Sequence, residues 1–192
     1  MTYETESKMI KRLLAFLIDY FIIVIYAAFL FGLTLLVHNI FKFNFQRPSA
    51  FLSQAIGFVT MTVPVFLYFY LSEKSNHRGT IGKRLLRIYT KTNTEQSNKS
   101  ILLRNLIKFL PWEIAHTGVQ WAVFYSSQNI EPPVWVWIAL ILPQLLVIIY
   151  IVSIVISKGK TSIYDKIAGT SVINKHSKDL RNYVNQQKGL VI

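Results

Sequence analysis

The chain has 192 residues, 52% of them hydrophobic, a mean hydropathy of +0.37, a formal net charge of +12 and no cysteine. The missing cysteines exclude disulfides, thiolate catalysis and Cys-ligated zinc. In a soluble protein so basic a balance would suggest nucleic acid. Here the basic residues flank apolar runs as long as the ~20 residues a helix needs to cross a bilayer, so the charge points to an anionic membrane surface and not to nucleic acid.

The first apolar run, 13–37, follows Lys8, Lys11 and Arg12. It is longer than the ~7–15 apolar residues of a signal peptide, Asp19 interrupts it, and no small-residue cleavage site follows, so it reads as a retained membrane span. Arg12 and Asp19 are seven residues apart, on one helical face and roughly 10 Å apart along the axis. A carboxylate in hydrocarbon needs a partner, a wet cavity or a proton. Asp19 is therefore expected in a salt bridge, with Arg12 or with the basic segment around Lys83 and Arg84 as its source of charge. The plainer readings are that Arg12 anchors topology and that Asp19 is shallow enough to reach water.

The second span, 51–72, is uncharged and has Pro64 near its middle. A basic stretch follows, with Thr80-Ile81-Gly82-Lys83-Arg84-Leu85 as a short segment, Ile88-Tyr89-Thr90 as a strand and 92–100 as a polar turn. Its Gly82-Lys83-Arg84 is not a phosphate loop, because His77 stands where the first glycine is required and Arg84 replaces Ser or Thr. Residues 101–109 read as a helix lying in the headgroups, with Arg104 and Lys108 snorkelling outward.

Residues 109–126 carry Glu113, His116 and Gln120 at helical spacing among tryptophans. Such a stripe faces a bundle interior, where a His–Glu pair can relay a proton; helix–helix hydrogen bonding is the plainer reading. Glu113-x-x-His116 has the spacing of half a di-metal motif, but the second half is missing, so no metal and no cofactor is expected. Gly32 and Gly57 lack the spacing that predicts close helix pairing. The last span is 134–156, with Pro143 near its middle. Counting 109–126 as a crossing puts 19 of the 21 Lys and Arg on one side. The positive-inside rule then makes four spans with both termini cytoplasmic, in the cell membrane.

After the last span, Ser162-x-x-Asp165 resembles a capping box opening a short helix that stops at Gly169. Residues 170–173 read as a strand able to pair with Ile88-Tyr89-Thr90. Residues 174–192 form a polar tail.

Three segments together, Arg12-x-x-Ala15-x-x-x-Asp19, Thr80-x-Gly82-Lys83-Arg84-Leu85 and Asp165-Lys166-x-Ala168-Gly169-Thr170, resemble the RDD family. These are multi-pass membrane proteins named for one arginine and two aspartates, which map onto Arg12, Asp19 and Asp165. The resemblance covers residues 8–173, and Tyr164 stands where the family often has histidine. It implies transport of an ion or small solute. The expected fold is an all-α membrane bundle of four transmembrane helices, with short cytoplasmic interfacial helices and a small strand pair. Arg12, Asp19 and Asp165 would cluster at the cytoplasmic side, continued outward by Glu113, His116 and Gln120. Four spans make a thin pathway, which calls for a homo-oligomer. The alternative is a non-transporting adaptor that binds a partner membrane protein or anionic lipid. No nucleophile–base arrangement can be read, so an enzyme is not expected.

Overall fold

The computed structural model describes residues 3–42, 49–92 and 97–174; the polar tail expected beyond Asn174 lies outside the described residues. Helix α1 (Tyr3–Phe41) has no proline and no glycine but Gly32, and it runs unbroken. The second span is divided into α2 (Ala50–Gly57), a π-helical turn (Phe58–Thr62) and α3 (Val63–Lys74). Next come α4 (Ile81–Leu85), β1 (Ile88–Thr92), α5 (Ser97–Ser127), α6 (Val134–Ile156), α7 (Ile163–Ile167) and β2 (Thr170–Asn174).

Among the described residues three helical stretches are long and apolar enough to cross a membrane: Met9–Phe41, Ala50–Lys74 and Val134–Ile156. The fourth expected span is not among them. Its residues belong to α5, whose middle carries Glu113, His116 and Gln120 and whose first third carries Arg104 and Lys108. The expected division at residue 109 is also absent. The headgroup helix and the polar stripe are one helix of 31 residues with Pro111 inside it. That helix begins at Ser97, within the stretch expected to be a turn.

Prolines shape the long helices, and a neighbouring helix compensates two of them. A helical proline leaves the carbonyl four residues earlier without its N–H donor. Pro64 frees the Thr60 carbonyl, and the Tyr26 hydroxyl from α1 donates to it at 2.7 Å. The π turn sits just before this proline, with the Val63 N–H reaching the Phe58 carbonyl, as expected where the ladder is interrupted. Pro111 frees the Ile107 carbonyl, and the Tyr150 hydroxyl from α6 donates to it at 2.8 Å. Near Pro143 contact is made by backbone instead. A Cβ at Gly118 would lie 3.0 Å from the Ala139 carbonyl carbon, so glycine lets α5 and α6 touch.

The strands β1 and β2 pair antiparallel, with Thr90 opposite Val172 and Tyr89 opposite Ile173, as expected from the sequence. A small core of Ala15, Ile88 and Val172 joins α1 to this sheet. The sheet, α4 and α7 gather at one end of the bundle, here called the strand end.

Candidate functional site

Five elements deliver charged side chains to the strand end, where they alternate in sign. Arg12 of α1 donates from Nη2 to Asp165 Oδ2 at 2.9 Å. Arg104 of α5 donates from Nη1 to the other oxygen, Asp165 Oδ1, and from Nε to Glu73 Oε2 at 3.0 Å. Lys83 of α4 donates to Glu73 Oε1 at 2.6 Å and to the Thr90 hydroxyl at 2.9 Å. The order is Arg12, Asp165, Arg104, Glu73, Lys83, drawn from α1, α7, α5, α3 and α4. Asn105 adds a donor to Glu73 at 3.1 Å. The side chains of Glu73 and Asp165 are fully buried and that of Arg104 is 1% exposed. In so dry a place each carboxylate needs several partners, and each has them.

Asp165 is fixed by its own helix as well. Ser162 caps α7, and Asp165 Oδ2 accepts from the Ser162 amide and hydroxyl at 2.9 Å each, closing the capping box. The Thr170 hydroxyl donates to Oδ1 at 3.1 Å. The local cap and the meeting with Arg12 are therefore both present. Burial by itself raises the Asp165 carboxyl, but the Arg104 and Arg12 guanidiniums and the Ser162 amide outweigh it and hold it well below the usual carboxylate range. At Lys83 burial prevails, helped by the Arg104 charge and opposed by Glu73, and the ammonium is pushed down to about 8.

Asp19 does not enter this chain, against the expectation of a salt bridge. It is 2% exposed and accepts three hydrogen bonds from uncharged donors. These are the Tyr68 hydroxyl at 2.8 Å, the Thr80 hydroxyl at 2.5 Å and the Gly82 amide at 2.9 Å. The reason is placement. Asp165 arrives on α7 at the level of Arg12, whereas α4 lays its first turn beside Asp19, two turns further along α1. Gly82 permits this, because a Cβ there would collide with the Ala15 carbonyl. Lys83 turns away to Glu73, and Arg84 bonds the Gly79 carbonyl at 2.7 Å and the Ser75 hydroxyl at 3.2 Å.

Arg104 is a second correction. Expected to snorkel outward, it is instead the central cation, because Glu73 and Asp165 converge on it from two sides. Glu73 and Arg104 are the members that sequence reasoning missed. Glu73 lies one residue beyond the expected end of an uncharged span. Together with Lys83, ten residues on, it was the available signal.

The second polar group lies between α5 and the second span. Trp112 Nε1 donates to the Thr62 hydroxyl at 3.2 Å, and that hydroxyl donates to Glu113 Oε2 at 2.9 Å. Gln54 donates to Thr117 at 2.8 Å and accepts from Trp121 at 3.1 Å. His116 Nε2 lies 3.4 Å from the Gln120 side-chain amide nitrogen, one turn further along α5. Nδ1 is 3.8 Å from Glu113 Oε1, beyond hydrogen-bond length. Gly57 makes room for this ring, since a Cβ there would be 2.6 Å from His116 Nε2. Gly57 and Gly118 thus serve close approaches without the spacing that would announce them. Among the described residues no group of three or more His, Asp or Glu is placed to hold a metal ion.

The order Arg12, Asp19, Gly82-Lys83, Asp165 now has a geometry, and residues 7–169 match the model of the RDD family. The chain belongs to the RDD family. RDD proteins are membrane proteins, and the three apolar helices agree with that. Comparison with curated proteins and with solved structures gives no match. In this RDD protein Arg12 and Asp165 meet directly, while Asp19 holds α4 against α1.

Proposed function

We propose that this RDD protein conducts or exchanges an ion or small polar solute across the cell membrane, with four crossings and both termini in the cytoplasm. The fourth crossing is α5. It packs along α6 through Gly118, its Trp121 ring meets Trp135 at 5.4 Å, and the short connection from Ser127 to Val134 turns the chain back. The one-sided distribution of Lys and Arg supports the same topology.

The observation that carries the reading is the direction of the α5 stripe. Glu113 and His116 face the π-distorted part of the second span instead of leaving α5 evenly apolar. Ionisable groups at membrane depth mark pathways, and π turns recur at functional sites. Gln120 continues the stripe into a cleft of about 660 Å³ between α2 and α5, also lined by Ser53, Ser126 and Ser127. The buried charge chain would then be the fixed inner end of the bundle. A homo-oligomer would widen a pathway that four helices leave thin.

One observation favours a second reading. Both carboxylates of the charge chain are fully paired and dry, which suits a rigid adaptor that presents one shape to a partner membrane protein or anionic lipid. Flux separates the two. Purified protein in proteoliposomes should carry one of Na⁺, K⁺, H⁺ or a small solute, and Glu113→Gln should abolish that flux while leaving insertion unchanged. No flux in the unmutated protein across that screen would reject transport.

A further inference from the structure

Both short helices at the strand end fold back beside the spanning helices instead of leaving them. Helix α4 docks on α1 at Ala15 and Asp19, through the Gly82 approach and the Gly82 amide. The Arg12 guanidinium donates to the Gly159 carbonyl, just past the end of α6, so Arg12 marks the level where the spans finish. At 1.5 Å per residue, Ala15 and Asp19 lie about 5 and 10 Å inside that level. Helix α7 does the same along α6. The Ile163 amide donates to the Ser153 hydroxyl at 3.0 Å, and the Tyr164 ring meets the Tyr150 ring at 5.2 Å. Ser153 and Tyr150 lie about 5 and 9 Å inside the end of α6 at Ile156.

Their outer surfaces are apolar. Leu85 is 66% exposed, Ile167 is 57% and Ile81 is 43%. On α1, where α4 docks, Leu13, Leu14 and Leu17 are also exposed. Arg84, Arg87 and Lys166 are exposed beside them. Short helices docked at points about 5–10 Å inside the ends of the spans, with apolar side chains outward and cations alongside, fit the pattern of helices seated at the headgroup–acyl boundary.

We infer that α4 and α7 are membrane-dipping helices. They seat Ile81, Leu85 and Ile167 among the acyl chains of an anionic leaflet, with Arg87 and Lys166 on its phosphates. The strand end is thus held by lipid from outside and by the charge chain from within. This does not depend on the flux reading.

The natural chain has no cysteine, so single cysteines can be spin-labelled directly. Leu85→Cys, Ile167→Cys and Ile81→Cys would be placed in vesicles of three parts phosphatidylcholine to one part phosphatidylglycerol. Collision with oxygen and with an aqueous nickel chelate is then compared. Lys91→Cys on β1 is the water reference and Phe29→Cys in α1 the acyl reference. The oxygen-to-nickel ratio at 85 and 167 should exceed that at 91 by at least fivefold and approach that at 29. Ratios equal to that at 91 would overturn the inference. Should Leu85→Cys fail to fold, Ile81→Cys tests the same helix. Spin-labelled phosphatidylglycerol should associate at least twofold more than phosphatidylcholine, and Arg87→Gln with Lys166→Gln should remove the preference. Equal association in the natural chain would overturn the anionic part.

Discussion

Arg104→Met tests whether the charge chain is organised around Arg104. The arginine serves two fully buried carboxylates and is itself 1% exposed. Methionine fills much of the volume but donates nothing. Glu73 would keep Lys83 and Asn105, and Asp165 would keep Arg12, Ser162 and Thr170. Neither carboxylate is orphaned, yet each loses its most buried cation. Breaking a buried pair from one side costs about 3–5 kcal/mol. For a chain of about 150–250 residues, each kcal/mol moves the midpoint by about 2–4 °C, so the expected fall is about 6–20 °C. Arg12→Gln should cost less, because the Arg12 side chain is 8% exposed and Asp165 retains Arg104. The assay is thermal unfolding in one nanodisc composition, followed by near-ultraviolet circular dichroism. The reasoning fails if Arg104→Met melts within about 2 °C of the natural protein, or if Arg12→Gln is the more damaging change.

Four further outcomes follow from the same geometry. Because the folded pKa of Lys83 is depressed to about 8, the unfolded chain binds more protons between pH 8 and its ordinary value of 10.5. Stability should therefore rise across that window, and Lys83→Met should flatten the rise; a denaturant series at pH 7.5, 9 and 10.5 reads it. Asp165 has the same sign in an acid window: its pKa is also lowered, so its contribution is present above its ordinary 3.8 and is lost as pH falls below that towards the folded value, and Asp165→Asn should be less stable at pH 7 but less acid-sensitive. Tyr26→Phe and Tyr150→Phe each strip the donor from a proline-freed carbonyl and should each cost about 1–3 kcal/mol, whereas Tyr20→Phe, whose ring is 51% exposed, should be silent in the same melt. Gly82→Ala pushes α4 off the Ala15 carbonyl, so it should cost about 1–3 kcal/mol and speed amide hydrogen exchange at residues 81–85; unchanged exchange there would refute the close packing.

The sequence by itself determined what depends on local pattern. Long apolar runs give the spanning helices, Ser162-x-x-Asp165 gives the cap of α7, and alternating β-branched and aromatic residues give two strands that pair. The three spaced motifs also point to the family, and the match over residues 7–169 agrees. What the sequence could not assign is who pairs with whom. Arg12 and Asp19 share a helical face, but each takes its partner from another element. The level at which α4 docks along α1, and at which α7 presents Asp165 to Arg12, decides that choice, and no spacing within α1 encodes it. Arg104 reads as a snorkelling cation on a headgroup helix until Glu73 and Asp165 close on it from α3 and α7. Burial and charge pairing are properties of the assembled bundle, so only the tertiary structure could convert the cation of a headgroup helix into the buried centre of the site.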